Sequence, residues 1–343
     1  MADSSLADRI WYGAGAGAAL GRAALTPLSL AFGAVVRARN ALYDAGVFQV
    51  AAPTIPVLSV GNLSVGGTGK TPLAAYLALR LKSAGAKPAL VMRGVGDDES
   101  RAYAVLAPNV PVVADVDRVR GVQAAAGRGC DVAVLDDAFQ HRRVGRDLDM
   151  VVLSADRNAE RLLPAGPLRE PVASLARAHC AVITRKAVSL DIARRMRERV
   201  QRTFPKLALL QVALKPVALV PWESGAERSI ESLRRQRVLA IAGIGDSDAF
   251  FAQLGAHSGA VERRVFADHY AYSDGDAASL AASAAGFDIV VCTLKDAVKL
   301  GPRWPRQAPS LWYVSQRLDV EEGESELERM LARLLDLRHS YRP

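Results

Sequence analysis

The chain has 343 residues, half of them apolar, with 44 basic against 36 acidic side chains and a formal net charge of +8. That length and apolar fraction exclude overall disorder and favour two domains, while the positive balance points to anionic partners: phosphates, nucleic acid or an acidic membrane face. Three scattered cysteines, Cys130, Cys180 and Cys292, with no Cys-x-x-Cys pair, argue against a disulfide framework or a zinc site and read as buried thiols.

The first element is apolar. Residues 23–36 are its longest charge-free run, shorter than the roughly 20 residues that a bilayer span needs. Asp3 and Asp8 stand where a cleaved signal would be basic, and Arg22 and Pro27 interrupt the wider apolar region. The sequence therefore predicts, within residues 1–46, an uncleaved helix lying in a membrane interface. Arg22, Arg37 and Arg39 would meet headgroups, and Leu28, Leu30, Phe32, Val35 and Val36 would enter the acyl boundary. A buried core helix is the other reading.

Pro53 and Pro56 then punctuate the chain, and 57–60 reads as a short buried strand running into a glycine-rich turn. A helix at 73–81 and strands at 89–92, 110–113, 132–135, 148–153 and 181–184 follow. Strands alternating with helices predict a parallel sheet covered on both faces, here a core over 47–206. The long β-like run at 207–220, with Pro216 inside it, predicts an inter-domain connection over 207–222. A smaller α/β domain is expected over 223–343: a strand at 238–242 ending in Gly243 and Gly245, a helix at 248–254, strands at 289–293 and 311–314, and a terminal amphipathic helix at 320–337.

The most informative segment is Gly61-Asn62-Leu63-Ser64-Val65-Gly66-Gly67-Thr68-Gly69-Lys70-Thr71, between a predicted strand and a predicted helix. Small residues let the backbone N–H groups of Gly66, Gly67, Thr68 and Gly69 turn onto phosphate oxygens. Lys70 then reaches the β- and γ-phosphates, and the Thr71 hydroxyl ligates Mg²⁺ at the helix N-terminus. The strict pattern has glycine where Ser64 stands. An acidic anchor for the metal is expected at the end of a neighbouring strand, and Val132-Ala133-Val134-Leu135 ends in Asp136-Asp137. ATP and Mg²⁺ are the implied ligands.

Taken with Asp136-Asp137-Ala138-Phe139-Gln140-His141 and Leu163-Pro164-Ala165-Gly166-Pro167-Leu168-Arg169-Glu170, the phosphate-loop segment through Pro72 resembles the tetraacyldisaccharide 4'-kinases, the lipid A 4'-kinases. Arg93-Gly94, Gly243-Ile244-Gly245, Phe266-Ala267-Asp268-His269-Tyr270 and Lys295-Asp296-Ala297-Val298-Lys299-Leu300 extend the resemblance over nearly the whole chain. It implies a P-loop α/β core with a second, smaller α/β domain. It also implies a MgATP-dependent kinase that phosphorylates the 4'-hydroxyl of a tetraacylated glucosamine disaccharide 1-phosphate at the cytoplasmic face of the inner membrane, peripheral or monotopic. The family's catalytic acid maps to Asp98, with Asp97 in reserve because the turn Arg93-Gly94-Val95-Gly96 is followed at once by Asp97-Asp98-Glu99. The resemblance carries the partner histidine to His269.

Arg169 and Glu170 follow a Pro-Ala-Gly-Pro turn that would aim a guanidinium at the γ-phosphate and a carboxylate at the metal. Arg142, Arg143 and Arg146 are candidates for the substrate's 1-phosphate, or a solvated face. Where the family commonly has Thr-Glu-Lys-Asp, this chain has Thr293-Leu294-Lys295-Asp296. The competing function is a membrane-recruited P-loop ATPase switch acting on a protein partner, which would leave Asp98-Glu99 and His269 without a task. A GTPase is disfavoured, since that same tetrapeptide lacks the guanine-reading spacing. No nucleic-acid motif or aromatic-interleaved basic stripe appears, and no obligate protein partner is inferred.

Overall fold

The computed structural model describes residues 6–94, 98–157 and 160–341. The chain divides into two compact units, the larger made of Asp8–Val212 with Val320–Pro343 and the smaller built on Ala213–Asp319. Helices α1 (Leu6–Tyr12) and α2 (Ala16–Asp44) open the chain. There follow β1 (Val57–Asn62), α3 (Lys70–Ser83), β2 (Pro88–Met92), α4 (Asp98–Leu106), β3 (Val112–Ala114), α5 (Arg118–Gly127), β4 (Val132–Asp136), β5 (Leu148–Ser154), β6 (Cys180–Arg185) and α6 (Leu190–Thr203).

The strands of the larger unit lie in the order β3-β2-β4-β1-β5-β6 and are all parallel. Every residue of β1, β2 and β4 is buried, as a sheet covered on both faces requires. Val122 and Ala125 of α5 pack on Val57, Val91 and Leu135, and Ala193 and Val200 of α6 pack with Val151 and Ile183. Because β4 is the neighbour of β1, with Asp136 opposite Val60, the acid that closes β4 stands beside the loop that leaves β1.

The chain leaves the larger unit along β7 (Ala208–Pro221), a strand of the sheet within which the division between the units falls, after Val212. The smaller unit continues through β8 (Arg228–Ser229), β9 (Arg237–Ala242), α7 (Ser247–Gly255), β10 (Ala260–Val265), α8 (Asp274–Ser283), β11 (Ile289–Cys292), α9 (Leu294–Leu300) and β12 (Leu311–Glu322). Strands β10-β9-β11-β12 are parallel. Alternation along β9 sends Val238 and Ala240 towards Phe250, Phe251 and Leu254 of α7, and Leu239 and Ile241 towards Ala277 and Leu280 of α8.

The terminal helix corrects the expected boundary. Strand β12 runs on to Glu322, so α10 (Glu324–Ser340) starts later than the sequence suggests, and it belongs to the larger unit. Long-range contacts hold it there: Arg80 pairs with Glu324 at 3.0 Å, Arg338 with Asp131 at 3.2 Å, and the Tyr341 hydroxyl donates to Asp147 at 2.9 Å.

Helix α2 runs through Pro27 unbroken for 29 residues, long and apolar enough to cross a membrane by length and composition. One stripe of it is nevertheless seated on the larger unit. Ser29 and Gly33 are buried, and Phe32, Val36, Arg39 and Asn40 are partly buried at the same three- and four-residue spacing. Ser29 Oγ donates to the Leu162 carbonyl at 2.8 Å, and a Cβ on Gly33 would stand 2.8 Å from Leu162 Cδ1, so a larger residue here would have to displace the Leu162 side chain. Leu20, Leu28, Leu30 and Val35 form the outward face and are exposed. Two of the expected assignments change with this geometry. Phe32 and Val36 face the protein, and Arg22 and Arg39 spend donors on the carbonyls of Ile10, Gly13 and Gln140 rather than reaching outward.

Candidate active site

The phosphate loop spans the gap between β1 and α3, and its backbone is braced from both sides. On one side Val65 N–H donates to the Pro167 carbonyl at 2.9 Å and Arg169 N–H to the Leu63 carbonyl at 2.6 Å. On the other, Thr184 Oγ1 donates to the Thr68 carbonyl at 2.8 Å and Lys186 Nζ to the Gly67 carbonyl at 2.6 Å. Asn62 Nδ2 donates to Thr68 Oγ1 at 2.9 Å. Gly69 caps α3 with φ +94°, a left-handed conformation that a side chain would strain, and this turn delivers Lys70 and Thr71 into the first helical turn. Ser64 is tolerated because it forms a single antiparallel bridge with Leu168, an extended position that does not need glycine.

Asp136 and Asp137 do different work. Asp136 is buried, and its Oδ2 accepts from the Tyr103 hydroxyl at 2.6 Å and the Thr71 hydroxyl at 3.4 Å. Burial pushes its carboxyl up from the ordinary carboxylate value, although the Tyr103 hydrogen bond and the Lys70 charge oppose the shift. Its Oδ1 is buried with no hydrogen-bond partner among the described residues. A buried, unfilled carboxylate oxygen beside a helix N-terminal hydroxyl fits a Mg²⁺ ion, which takes one or two protein oxygens and completes its shell with phosphate and water. Asp137 has φ +50° and receives both Arg169 nitrogens, Nη1 at 3.0 Å and Nη2 at 2.6 Å, with Lys70 Nζ at 3.6 Å. Partial burial works the other way, but the Lys70 charge and the Arg169 hydrogen bonds hold Asp137 well below the usual carboxylate range. Arg169 also donates to Asn62 Oδ1. Lys70, Arg169 and Asp137 therefore form one charged cluster at the mouth of the loop.

Glu170 is placed differently from the expectation that it reaches the metal. It is buried, Arg177 donates to both its oxygens at 2.8 Å, and Asn40 of α2 donates to Oε2 at 2.8 Å. Against its burial, the Arg177 pairing lowers its carboxyl below the ordinary value. Its oxygens are committed to anchoring α2 and the segment that carries Arg169. Two of the three arginines expected at the substrate phosphate are likewise committed. Arg146 pairs with Asp149 at 3.3 Å and donates to the Ala138 and Phe139 carbonyls, and Arg142 binds Asp44 and the Asn40 carbonyl beside the Tyr43 ring. Arg143 is left, exposed and paired with Asp117 at 3.2 Å.

Asp98 opens α4 and is partly buried, while its reserve, Asp97, lies outside the described residues. The neighbouring Glu99 adds to the field on Tyr103, Arg118 and Asp136, which ties the start of α4 to the phosphate-loop acids. Tyr103 and Arg118 are components that sequence reasoning missed. Tyr103 is fully buried on Asp136, and burial followed by the Asp136 charge pushes its hydroxyl pKa well up. Buried Arg118 donates to the Asp136 carbonyl at 3.3 Å.

In the smaller unit, His269 follows β10 in the left-handed region at φ +58°, its backbone N–H donating to Asp268 Oδ1 at 3.1 Å. The segments around it are gathered by Asp296, which is fully buried. Its oxygens accept from Gly243 N–H at 3.1 and 3.0 Å, from the Tyr272 hydroxyl at 3.0 Å and from Thr293 Oγ1 at 2.7 Å. Thr293 also caps α9, so the Thr-Leu-Lys-Asp stretch has a structural task that its leucine does not disturb. His269 and Asp98 belong to different units.

A buried parallel strand opening into a glycine loop, a lysine and threonine at the following helix start, and a carboxylate closing the adjacent strand define a P-loop phosphotransferase. The family model for tetraacyldisaccharide-1-P 4'-kinase, LpxK, matches residues 21–336. The chain belongs to that family, and it is an ATP-dependent kinase of lipid A biosynthesis. The tetraacyldisaccharide 4'-kinase of Halorhodospira halophila is 37% identical over 342 residues, covering 92% of this chain and 94% of that protein. The one from Geobacter metallireducens is also 37% identical, covering 82% and 89%. The crystal structure of LpxK from Aquifex aeolicus in complex with ATP superposes with a TM-score of 0.70 at 29% identity, covering 91% of this chain and 99% of that one.

Proposed function

We propose that the chain transfers the γ-phosphoryl group of ATP to the 4'-hydroxyl of a tetraacylated glucosamine disaccharide 1-phosphate at the cytoplasmic face of the inner membrane. The observation that carries this is the charged cluster of Lys70, Arg169 and Asp137 beside the unfilled Asp136 oxygen. Asp137 holds both cations at the mouth of the loop. An incoming triphosphate offers Lys70 and Arg169 stronger anionic partners in the place where charge develops. Held by Thr71 and Asp136, Mg²⁺ would neutralise β- and γ-phosphate oxygens. Asp98 accepts the acceptor's hydroxyl proton as its oxygen forms the new P–O bond, the bond from γ-phosphorus to the bridging oxygen breaks, and ADP leaves. His269 is proposed as partner to Asp98 on the family resemblance alone.

The test is incubation with MgATP and a panel of acceptors, with mass detection of an added phosphate. Asp98→Ala should lower kcat by about 10²- to 10⁴-fold with the KM for ATP nearly unchanged. An unaltered kcat would remove Asp98 from the role and transfer it to Asp97. Rapid ATP hydrolysis without any acceptor would instead favour the switch reading.

The same reading assigns the outward face of α2 to the bilayer surface. A helix about 43 Å long with one stripe seated on protein lies along the interface more readily than across it. Leu28→Asp with Val35→Asp should cut association with vesicles by about tenfold per position, judged from the apolar burial removed. Undiminished sedimentation with vesicles would contradict the assignment.

A further inference from the structure

The carboxyl ends of β5 and β6 build a small frame beside the phosphate loop, and the register of the two strands sets its parts. Ser154 pairs with Thr184 across the parallel ladder, so Asp156 and Lys186, each two residues further on, leave adjacent strands side by side. Asp156 accepts from the backbone N–H of three successive residues, Lys186 at 2.8 Å, Ala187 at 2.7 Å and Val188 at 3.1 Å. A carboxylate that gathers successive N–H groups fixes the course of the turn after β6. Side chains alternate along that strand end. Thr184 and Lys186 turn to the phosphate loop, while Arg185 between them turns to Glu321, its Nε donating at 2.8 Å.

Thr184 Oγ1 and Lys186 Nζ take two successive carbonyls of the loop, Thr68 at 2.8 Å and Gly67 at 2.6 Å. A trans peptide is planar, so a carbonyl held on one side sends the N–H of the next residue to the other. Lys186 therefore sets the Thr68 N–H, and Thr184 sets the Gly69 N–H. The Thr68 N–H meets the Gly66 carbonyl at 3.0 Å, a neutral acceptor that a charged phosphate oxygen outcompetes. Gly66 at φ +101° and Gly69 at φ +94° flank these peptides, left-handed positions of the kind that turn successive N–H groups into one anion-binding hollow. Of the two holds, that of Lys186 is charge-assisted and the stronger. Its long stem loses rotamer freedom when held, and the fixed backbone at Asp156 limits that cost.

We propose that Lys186 is a positioning residue for the nucleotide: through the Gly67 carbonyl it sets the N–H groups of the loop for the phosphates, and Asp156 sets Lys186. Lys186 acts through the loop and does not touch the reacting atoms. The inference concerns the nucleotide half of the reaction and stands whatever hydroxyl accepts the phosphoryl group.

The experiment titrates ADP and the β,γ-methylene analogue of ATP, each with Mg²⁺, into full-length wild type, Lys186→Met, Asp156→Asn and the double variant by calorimetry, alongside steady-state kinetics. Methionine keeps the apolar stem and removes the charge. Lys186→Met should weaken both nucleotides by about tenfold, the value of one hydrogen bond to a charged group. The KM for ATP should rise with it, while kcat at saturating ATP and the KM for the acceptor stay near wild type. Asp156→Asn should weaken both nucleotides as well, and adding it to Lys186→Met should change little, since the two act in series. Wild-type affinity of Lys186→Met for both nucleotides would overturn the proposal. So would a loss confined to the ATP analogue, which would make Lys186 a direct ligand of the γ-phosphate. Calorimetric stoichiometry counts binding-competent molecules, and fewer of them at wild-type affinity would leave Lys186 a folding residue only. Full additivity in the double variant would break the link from Asp156 to Lys186.

Discussion

Each unit holds a buried carboxylate after a parallel strand, Asp136 as the last residue of β4 and Asp296 in the first turn of α9 just beyond β11, and the two are finished in opposite ways. Burial raises the carboxyl of both Asp136 and Asp296 above the ordinary value. Asp296 has its oxygens filled from within its own unit, by Gly243 N–H, Tyr272 and Thr293. Asp136 is left with one oxygen lacking a partner among the described residues. A filled carboxylate of this kind holds loops together. An unfilled one keeps a desolvation cost that a bound cation relieves. The left-handed residues follow the same division: Asp137 at φ +50° adjoins the unfilled acid, and His269 at φ +58° rides on loops that the filled one gathers. Both conformations cost about 1–3 kcal/mol and persist where surrounding contacts over-determine them.

Paired substitutions put this contrast at risk, beginning with the largest effect. Asp136→Asn should lower kcat by about 10²- to 10³-fold, the scale of losing one electrostatic element at developing charge, while the melting temperature stays close to wild type. Asp296→Asn should do the reverse. Its amide N–H₂ would confront Gly243 N–H or forfeit the Tyr272 and Thr293 donors, costing about 1–3 kcal/mol of stability with the KM for ATP unchanged. Calorimetry alongside steady-state kinetics separates the two. If Asp296→Asn lost catalysis at full stability, the smaller unit's carboxylate would have to be moved into the chemistry.

How much of each edge was legible in the sequence follows from how local its signals are. The phosphate loop was readable because Gly66, Gly69, Lys70 and Thr71 act within one turn of chain, and Asp136-Asp137 because an apolar strand cannot end in two acids without a reason. Tyr103 and Arg118 carry no such mark. They arrive at Asp136 from α4 and α5, brought by packing between elements far apart in sequence. The terminal helix was visible as a helix, but its allegiance to the larger unit depends on Arg80, Asp131 and Asp147, which no local pattern announces. For α2 the apolar content was plain. The stripe of Ser29, Gly33 and Asn40 that docks it was present at helical spacing, though polar and small residues among alanines and leucines read more easily as gaps in a membrane face than as a seat.

That seat supplies a smaller and sharper test of the charged edge. Asn40 Nδ2 holds Glu170 Oε2, Arg177 holds Glu170 from the other side, and the adjacent Arg169 grips Asp137 and Asn62. If these contacts act as one lattice, Asn40→Ala should reach the phosphate loop through Arg169 and lower kcat by about tenfold, the value of one hydrogen bond to a charged group. Arg169→Ala alone should cost more. The decisive reading is the double variant: in the Arg169→Ala background, Asn40→Ala should add nothing, since residues in one network couple rather than sum. Strict additivity would mean that Asn40 only fastens the helix, and that the lattice around Lys70 ends at Arg169.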